Sequence, residues 1–560
     1  MIIQLTNANI YDPANNKVGV TDTLYIKDGV IADKQEVNGT VDKTYDLKGK
    51  VVMAGAIDIH SHIAGGKNNL ARLMMPELHR ATLFPAENGF RAGSSEPTMT
   101  SFSSGYRYAE MGFTAAFEPA MMPVNARQTH LELADTPIID KGAYIMIGNE
   151  DYFMTLLAQK ADRRTINDYV AWMMDATKAL AVKVVNPGGV NAFKFNQRSL
   201  DLDEHNQHYQ VTPRQVLMTL SRALLDLGVT HPLHVHGCNL GVAGSVRSTL
   251  DTIKGAEGLP LHITHIQFHA YGDEGEKGFS SGAAEIAEAV NSNPNITVDV
   301  GQIMFGQTVT ESGDVMHQHA ASKHAEPKKW VCVDIECQGG CGLVPFHYRD
   351  KDYVNALQWA IGLEIFLLVE DPWRVFLTTD HPNGAPFTCY PHLMRLLMDK
   401  SYRASFFKHL HPEAQRMSNL MSITREYTLE EIAIMTRAGP ARILGLTSQG
   451  HLGAGAQADV VVYTPNDNKE TMFAKPDYVF KDGTLVAQNG KVVASVMGRH
   501  CIARPKYDRG ALKGLETWYD KYQGMHINNA MVKPEDFGDY EDIRFLEAHC
   551  QDRHDGRSTS

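Results

Sequence analysis

Gly55-Ala56-Ile57-Asp58-Ile59-His60-Ser61-His62 is an apolar, strand-like run that ends in two histidines separated by a single residue. Side chains at i and i+2 of a strand leave the same face, so His60 and His62 aim two imidazoles at one point. That is how a metal ion is gripped. A chain holding 25 histidines also yields such pairs without any metal, so the reading turns on what the other strands carry at their ends.

Seven more apolar runs follow, alternating with amphipathic helical stretches: Phe113–Glu118, Ala143–Gly148, Ala181–Val185, Pro232–His236, Leu261–His265, Ile296–Val300 and Val375–Asp380. The alternation predicts a parallel α/β domain, and eight βα units predict a closed (β/α)8 barrel of the TIM type. An open doubly wound sheet is the rival. It binds nucleotides through a Gly-rich first turn, and His-Ser-His stands there instead. The intervals after His62 and His265 are long for βα connections and are read as active-site loops or insertions. Thr428–Ile432 and Arg442–Gly445 read as a final helical pair.

A barrel opens the C-terminal ends of all its strands on one face, which brings His60, His62, Lys183, His236, His265 and Asp380 together. His236 and His265 read as ligands of an open zinc-type site. His234 and His262 read as core histidines or as partners behind the ligands. Asp380 alone suits a helix cap; beside Thr378, Thr379 and His381 at a strand end it is better placed as ligand and base. Lys183 is the odd member, because an ammonium has three donors and no acceptor. Carbon dioxide added to its amine would make a carbamate able to bridge two metals, which the residues permit without requiring. Lys67, Arg72 and Arg80 lie in the long loop after the first strand, where a solvated charged loop is the plain expectation.

With 560 residues, 43% hydrophobic and 21% charged, the chain has material for one large domain and one or two smaller ones. A net charge of -12 disfavours a general nucleic-acid binder. No apolar run is long enough for a bilayer, and the first residues lack the pattern of a signal peptide, so no membrane association is expected. Seven scattered cysteines argue against a disulfide framework and for a cytoplasmic location. Cys332, Cys337 and Cys341 cluster without a CxxC pair, which speaks against a metal site there. Lys27-Asp28-Gly29, Lys481-Asp482-Gly483 and Asn489-Gly490 are hairpin signals near both ends, so the two ends are expected to build one small β domain together. The expected division is 1–53 and 447–500 for that domain, 54–446 for the barrel and 501–560 for a Tyr-, Lys- and Asp-rich extension, ending in a tail from Arg553 to Ser560 that is expected to fray.

The first strand, the ordered later ligands and the closing Gly450–Val462 run resemble the metal-dependent amidohydrolases. More narrowly, Lys183–Gly189, Thr264–His269 and Thr379–Gly384 resemble the family of formylmethanofuran dehydrogenase A subunits, over a span from the N-terminus to about residue 500. The resemblance implies a barrel with a composite β-sandwich domain and a centre of two divalent metal ions, zinc by preference. It assigns His60 and His62 to one metal, carboxylated Lys183 to the bridge, His236 and His265 to the other metal, and Asp380 to the first metal and to proton transfer. His381 is implied either as support for the oxyanion or as a partner of a ligand. Asn186, Lys67, Arg72 and Arg80 are implied contacts for the substrate, the basic residues forming a rim for its glutamate-rich tail. Archaeal members condense formate with the amine of methanofuran; bacterial relatives, in a complex with a formyltransferase, release formate from formylmethanofuran. The bacterial reaction is the expectation, on the abundance of Asn, Gln and Met and the lack of surplus charge. The alternatives are the archaeal-type reaction, hydrolysis of cyclic amides by a dihydropyrimidinase-like enzyme, and a catalytically silent scaffold.

Overall fold

The computed structural model describes residues 1–37, 39–86, 89–193, 196–197, 200–275, 277–333, 340–537 and 544–550. Eight parallel strands form the centre: β1 (Ala56–Asp58), β2 (Phe113–Met121), β3 (Asp140–Met146), β4 (Ala181–Val185), β5 (Leu233–His236), β6 (Leu261–Ile263), β7 (Ile296–Asp299) and β8 (Val375–Phe376). Each pairs with its sequence neighbour. Helices such as Pro213–Asp226 and Tyr353–Leu368 follow the strands. Strands covered on both faces carry near-continuous apolar runs, as Ala181-Val182-Lys183-Val184-Val185 does.

The barrel closes beyond the last ladder residues of β1 and β8. Ser61 and His381 form a parallel bridge, the His62 amide donates to the His381 carbonyl at 2.7 Å, and Thr378 Oγ1 donates to the His60 carbonyl at 2.7 Å. The first and last strand ends are thereby locked side by side. Only β4 keeps its sequence limits, and β3 and β8 show how the others shift. β3 begins at Asp140 because Asp140 pairs with Ala115, and β8 stops at Phe376 while the chain runs on to Asp380, whose φ of 52° cannot continue a ladder.

Both chain ends contribute to one nine-stranded sheet. Its joint is the antiparallel pairing of Val51–Ala54 with Val460–Tyr463, flanked by Ile2–Asp12 on one side and Tyr478–Lys481 on the other. The longest insertion follows β7 rather than His265. It holds a three-stranded sheet of Gly306–Ser312, Cys341–Tyr348 and Val331–Val333, whose strands wall the site face. Cys332 lies opposite Gly342 there, and Cys337 is outside the described residues. The expected helical pair near the C-terminal end of the barrel is one helical run, Leu429–Leu444, with a π segment at Ile434–Ala438; Pro440 has no amide to continue the regular ladder.

The extension beyond residue 500 is packed on the barrel. His500–Ile502 pairs with β3, and Phe545–Glu547 pairs with His500–Ile502. Leu515, Tyr519, Ile527 and Val532 are buried; the Val532 amide donates to the Ala176 carbonyl at 2.7 Å and Trp518 packs on Tyr152, which joins this segment to the helices after β3. The stretch from Arg553 to Ser560 lies outside the described residues. Among the described residues no helix is long and apolar enough to cross a membrane.

Lys481 of the β domain ties the two units together. Its Nζ lies 2.7 Å from both Asp140 Oδ2 of β3 and Asp459 Oδ2, all three buried. Lys481→Met would leave two buried carboxylates without their cation, for an expected loss on the order of 3–5 kcal/mol read from denaturant unfolding. The neighbouring Lys141 is also buried and donates to the carbonyls of Thr136 and Gly498; burial lowers it to about 8 from 10.5. The native chain then releases this proton at lower pH than the unfolded chain, so stability rises with pH between about 8 and 10.5. Lys141→Met should flatten that rise, worth about 3 kcal/mol, in unfolding curves taken across the window.

Candidate metal centre

His60 and His62 do converge. His60 Nε2 and His62 Nε2 lie 2.8 and 3.2 Å from the same oxygen, Asp380 Oδ1, and one ligand atom from each of the three residues falls within 4.8 Å of the others. The period of two along the first strand supplies the histidine pair, and barrel closure supplies the carboxylate. Next to them the His265 ring is 5.4 Å from His60 and 4.8 Å from His236, centroid to centroid. Lys183, His236, His265, His62 and Asp380 all line one cavity of about 470 Å³.

The donors fit divalent metal. His60 Nε2 and Asp380 Oδ1 are buried, yet neither has a hydrogen-bond partner among the described residues; their close approach is not aligned as a bond. Burial, reinforced by the charge of Lys183, lowers His60 to about 4. Burial also drives His236 and His265 well below the usual histidine range. These imidazoles are therefore neutral and present lone pairs. Burial opposes ionisation of Asp380, but His60 and His265 hold it well below the ordinary carboxylate range. Burial lowers Lys183 to about 8, bringing its free amine within reach of neutral pH.

Partners behind the ligands set their orientation. His62 Nδ1 is 3.0 Å from Glu118 Oε1, and the same carboxylate accepts from the amides of Ile63, Ala64 and Ala120 at 2.9, 3.2 and 3.1 Å. Against the cost of burial, His62 and Lys67 hold Glu118 to about 2, so it accepts from His62 Nδ1 and leaves Nε2 to face Asp380. His60 Nδ1 meets His234 Nε2 at 2.9 Å and Thr264 Oγ1, and His234 Nδ1 meets His231 Nε2 at 3.0 Å. Asp299 accepts from the His265 amide at 2.7 Å and lies 3.0 Å from His262 Nε2. His60, His234 and Asp299 also fall within ligand distance of one another, but the facing nitrogens of the two histidines already engage each other, which suits an orienting network. Asp58 accepts from the His60 amide at 3.0 Å and from the hydroxyls of Tyr108 and Tyr390, anchoring the segment that carries the pair.

Backbone strain gathers at the site. Asn186, His265 and Asp380 have φ of 42°, 37° and 52°, each in a left-handed region that non-glycine residues rarely occupy. Gly301 accommodates one of them, since a Cβ there would sit 2.4 Å from the His265 Cβ.

Of the substrate contacts expected from sequence, Lys67 reaches the cavity wall, with its Nζ 3.2 Å from His62 Nδ1 and 4.0 Å from Glu118. Asn186 is buried beside it but off that wall, donating to Asp314 Oδ2 at 2.9 Å. Arg72 turns to the Met99 carbonyl and Asn69 and approaches Glu132, and Arg80 stands exposed on the helix Pro76–Ala81; neither lines the cavity. The Met99 carbonyl, Asn69 and Glu132 of the helix after β2 claim Arg72, and water claims Arg80. His381 is buried off the wall. Its Nδ1 accepts from the Phe387 amide at 3.3 Å, and its carbonyl serves barrel closure.

Glu118, Asp299, Asp58 and Glu311 escape the sequence reading. Glu118 and Asp299 sit at the C-terminal ends of predicted strands, the signal that identified the ligands, but a carboxylate there does not reveal whether it faces the metal or a histidine. Glu118→Gln should weaken metal affinity roughly 10–100-fold in a chelator competition, and unchanged affinity would remove Glu118 from this role.

Residues 43–493 match the model of the amidohydrolase family, Amidohydro_3. The A subunit of the formyltransferase/hydrolase complex Fhc of Methylorubrum extorquens is 40% identical over 553 residues, covering 97% of this chain and 99% of that protein. Protein FwdA of Methanocaldococcus jannaschii is 39% identical over 554 residues, 95% of this chain and 96% of its own. Among solved structures, the crystal structure of the M. extorquens formyltransferase/hydrolase complex FhcABCD with methylofuran superposes with a TM-score of 0.93 at 39% identity, over 98% of this chain and 100% of that one. The chain belongs to the amidohydrolase family, in the branch that holds FwdA and the Fhc complex's A subunit.

Proposed function

We propose that this chain hydrolyses the formamide of formylmethanofuran, or of a close analogue, to formate and the free amine, as the hydrolase component of a hetero-oligomeric complex with a formyltransferase. The observation that carries the reading is the near full-length likeness to one component of a formyltransferase/hydrolase complex crystallised with methylofuran, joined to a cavity on which Lys183, His236, His265, His62 and Asp380 converge.

His60, His62 and Asp380 would hold one divalent ion, and His236 and His265 a second, bridged by carboxylated Lys183. When bound, such a pair supplies a water acidified to near neutral pH and an electrophile for the formyl oxygen. Lys183 suits the bridge because its lowered pKa provides the neutral amine that adds carbon dioxide, with loss of one proton, to give a carbamate. Asp380 takes the proton of the attacking water and delivers it to the leaving nitrogen. Glu118 and His234 keep the two strand-end imidazoles oriented, and the wall built by the insertion after β7 shields the reacting bond from bulk water.

A second reading is the reverse direction, condensation of formate with the amine, which the resemblance to formylmethanofuran dehydrogenase A subunits implies and the same residues would serve. A silent scaffold has no need of the six ligand positions, all of which are present. Metal analysis of the purified chain is expected to give close to two ions per chain. Asp380→Asn should lower formate release from formylmethanofuran by about 100-fold or more in kcat. Equal release by wild type and variant would refute the assignment of Asp380.

A further inference from the structure

The roles assigned so far leave Glu311 unused. It lies on the strand Gly306–Ser312 of the sheet inserted after β7, and its amide donates to Asn383 Oδ1 at 2.5 Å, tying it to the turn that carries Asp380. The residue is 4% exposed and lines the same cavity as His62, Lys67, Lys183 and Asp380. Neither Glu311 Oε1 nor Oε2 has a hydrogen-bond partner among the described residues. Neither nearby cation bonds to it: Lys67 Nζ lies 3.2 Å from His62 Nδ1 and 4.0 Å from Glu118, and Arg72 donates to the Met99 carbonyl and approaches Glu132. A carboxylate withdrawn from water without partners costs stability, and such groups in a cleft mark places that a ligand completes.

We propose that Glu311 binds the amine side of the substrate, accepting the N–H of the formamide nitrogen and then holding the ammonium of the released amine. This rests on the hydrolase reading. Hydrolysis adds one water across the C–N bond: oxygen joins the formyl carbon, the bonding pair leaves with nitrogen, and nitrogen takes up protons, giving formate and an alkylammonium. Nitrogen offers one N–H before cleavage and three with a positive charge afterwards. A fixed carboxylate therefore interacts more strongly as the reaction advances. It also distinguishes an N-formyl amine from an ester of similar shape, which has no N–H to give.

The test uses the full chain with its metals, as wild type, Glu311→Gln and Glu311→Ala. Formate release from formylmethanofuran, its inhibition by methanofuran and by formate, and the thermal shift caused by methanofuran are measured. In both variants the inhibition constant for methanofuran should rise by about tenfold or more while that for formate stays unchanged. The methanofuran-induced shift should vanish, and the ligand-free melting temperature of Glu311→Ala should equal or exceed wild type, since a buried carboxyl group without hydrogen-bond partners has been removed. Methanofuran inhibition and thermal shift as in wild type, in whichever variant folds, would overturn the proposal. A wild type that releases no formate would refute the hydrolase reading instead, a result told apart by the thermal shift, which needs no turnover.

Discussion

Closure of the barrel at Ser61 and His381 is the constraint on which the site depends. The bridge between these residues and the bond from the His62 amide to the His381 carbonyl place the first and last strands side by side. Only then do His60 and His62 meet Asp380, more than three hundred residues further along the chain. An open sheet with the same eight strands would leave the histidines on one edge and the aspartate on the other. The metal centre is thus a consequence of a ring of hydrogen bonds, and the side chains read its geometry.

Burial does the second part of the work. Removing these imidazoles from water disfavours their charged form, so His60, His236 and His265 are poised as neutral donors before any ion arrives. The same burial would be ruinous for carboxylates without compensation. Asp380 and Glu118 are compensated by histidines and, for Glu118, by three backbone amides. Among the described residues Glu311 has no such hydrogen-bond partners, and that contrast separates carboxylates that complete the protein from one that awaits a ligand. The left-handed conformations at Asn186, His265 and Asp380 belong to the same arrangement, since strained strand ends aim side chains where a relaxed ladder would not.

The β domain and the C-terminal extension brace the barrel from outside. Lys481 joins Asp140 at the start of β3 to Asp459 beside the inter-end sheet joint, and His500–Ile502 adds a parallel neighbour to β3. Both contacts fall on the strand that precedes the one carrying Lys183. Support far from the chemistry therefore reaches the site through the register of β3 and β4, where Met146 pairs with Lys183.

The sequence by itself determined the fold class, because strand period, helix alternation and apolar runs are local properties that can be summed along the chain. It also placed His60, His62, Lys183, His236, His265 and Asp380 at strand ends, and a closed barrel makes strand ends neighbours. What tertiary structure alone decided was direction and pairing. Glu118 and Asp299 close predicted strands as Asp380 does, yet in the folded chain they turn to histidines. Arg72 and Arg80 share a loop with Lys67, yet only Lys67 reaches the cavity. His381 adjoins the base, yet spends its ring on Phe387 and its carbonyl on closure. The extension past residue 500 has an unremarkable polar composition and still supplies strands to the sheet. The physical reason is common to all of these: a residue's type and position in a strand are set by its own neighbours in sequence, whereas which partner satisfies a buried charge is set by groups brought near from distant parts of the chain.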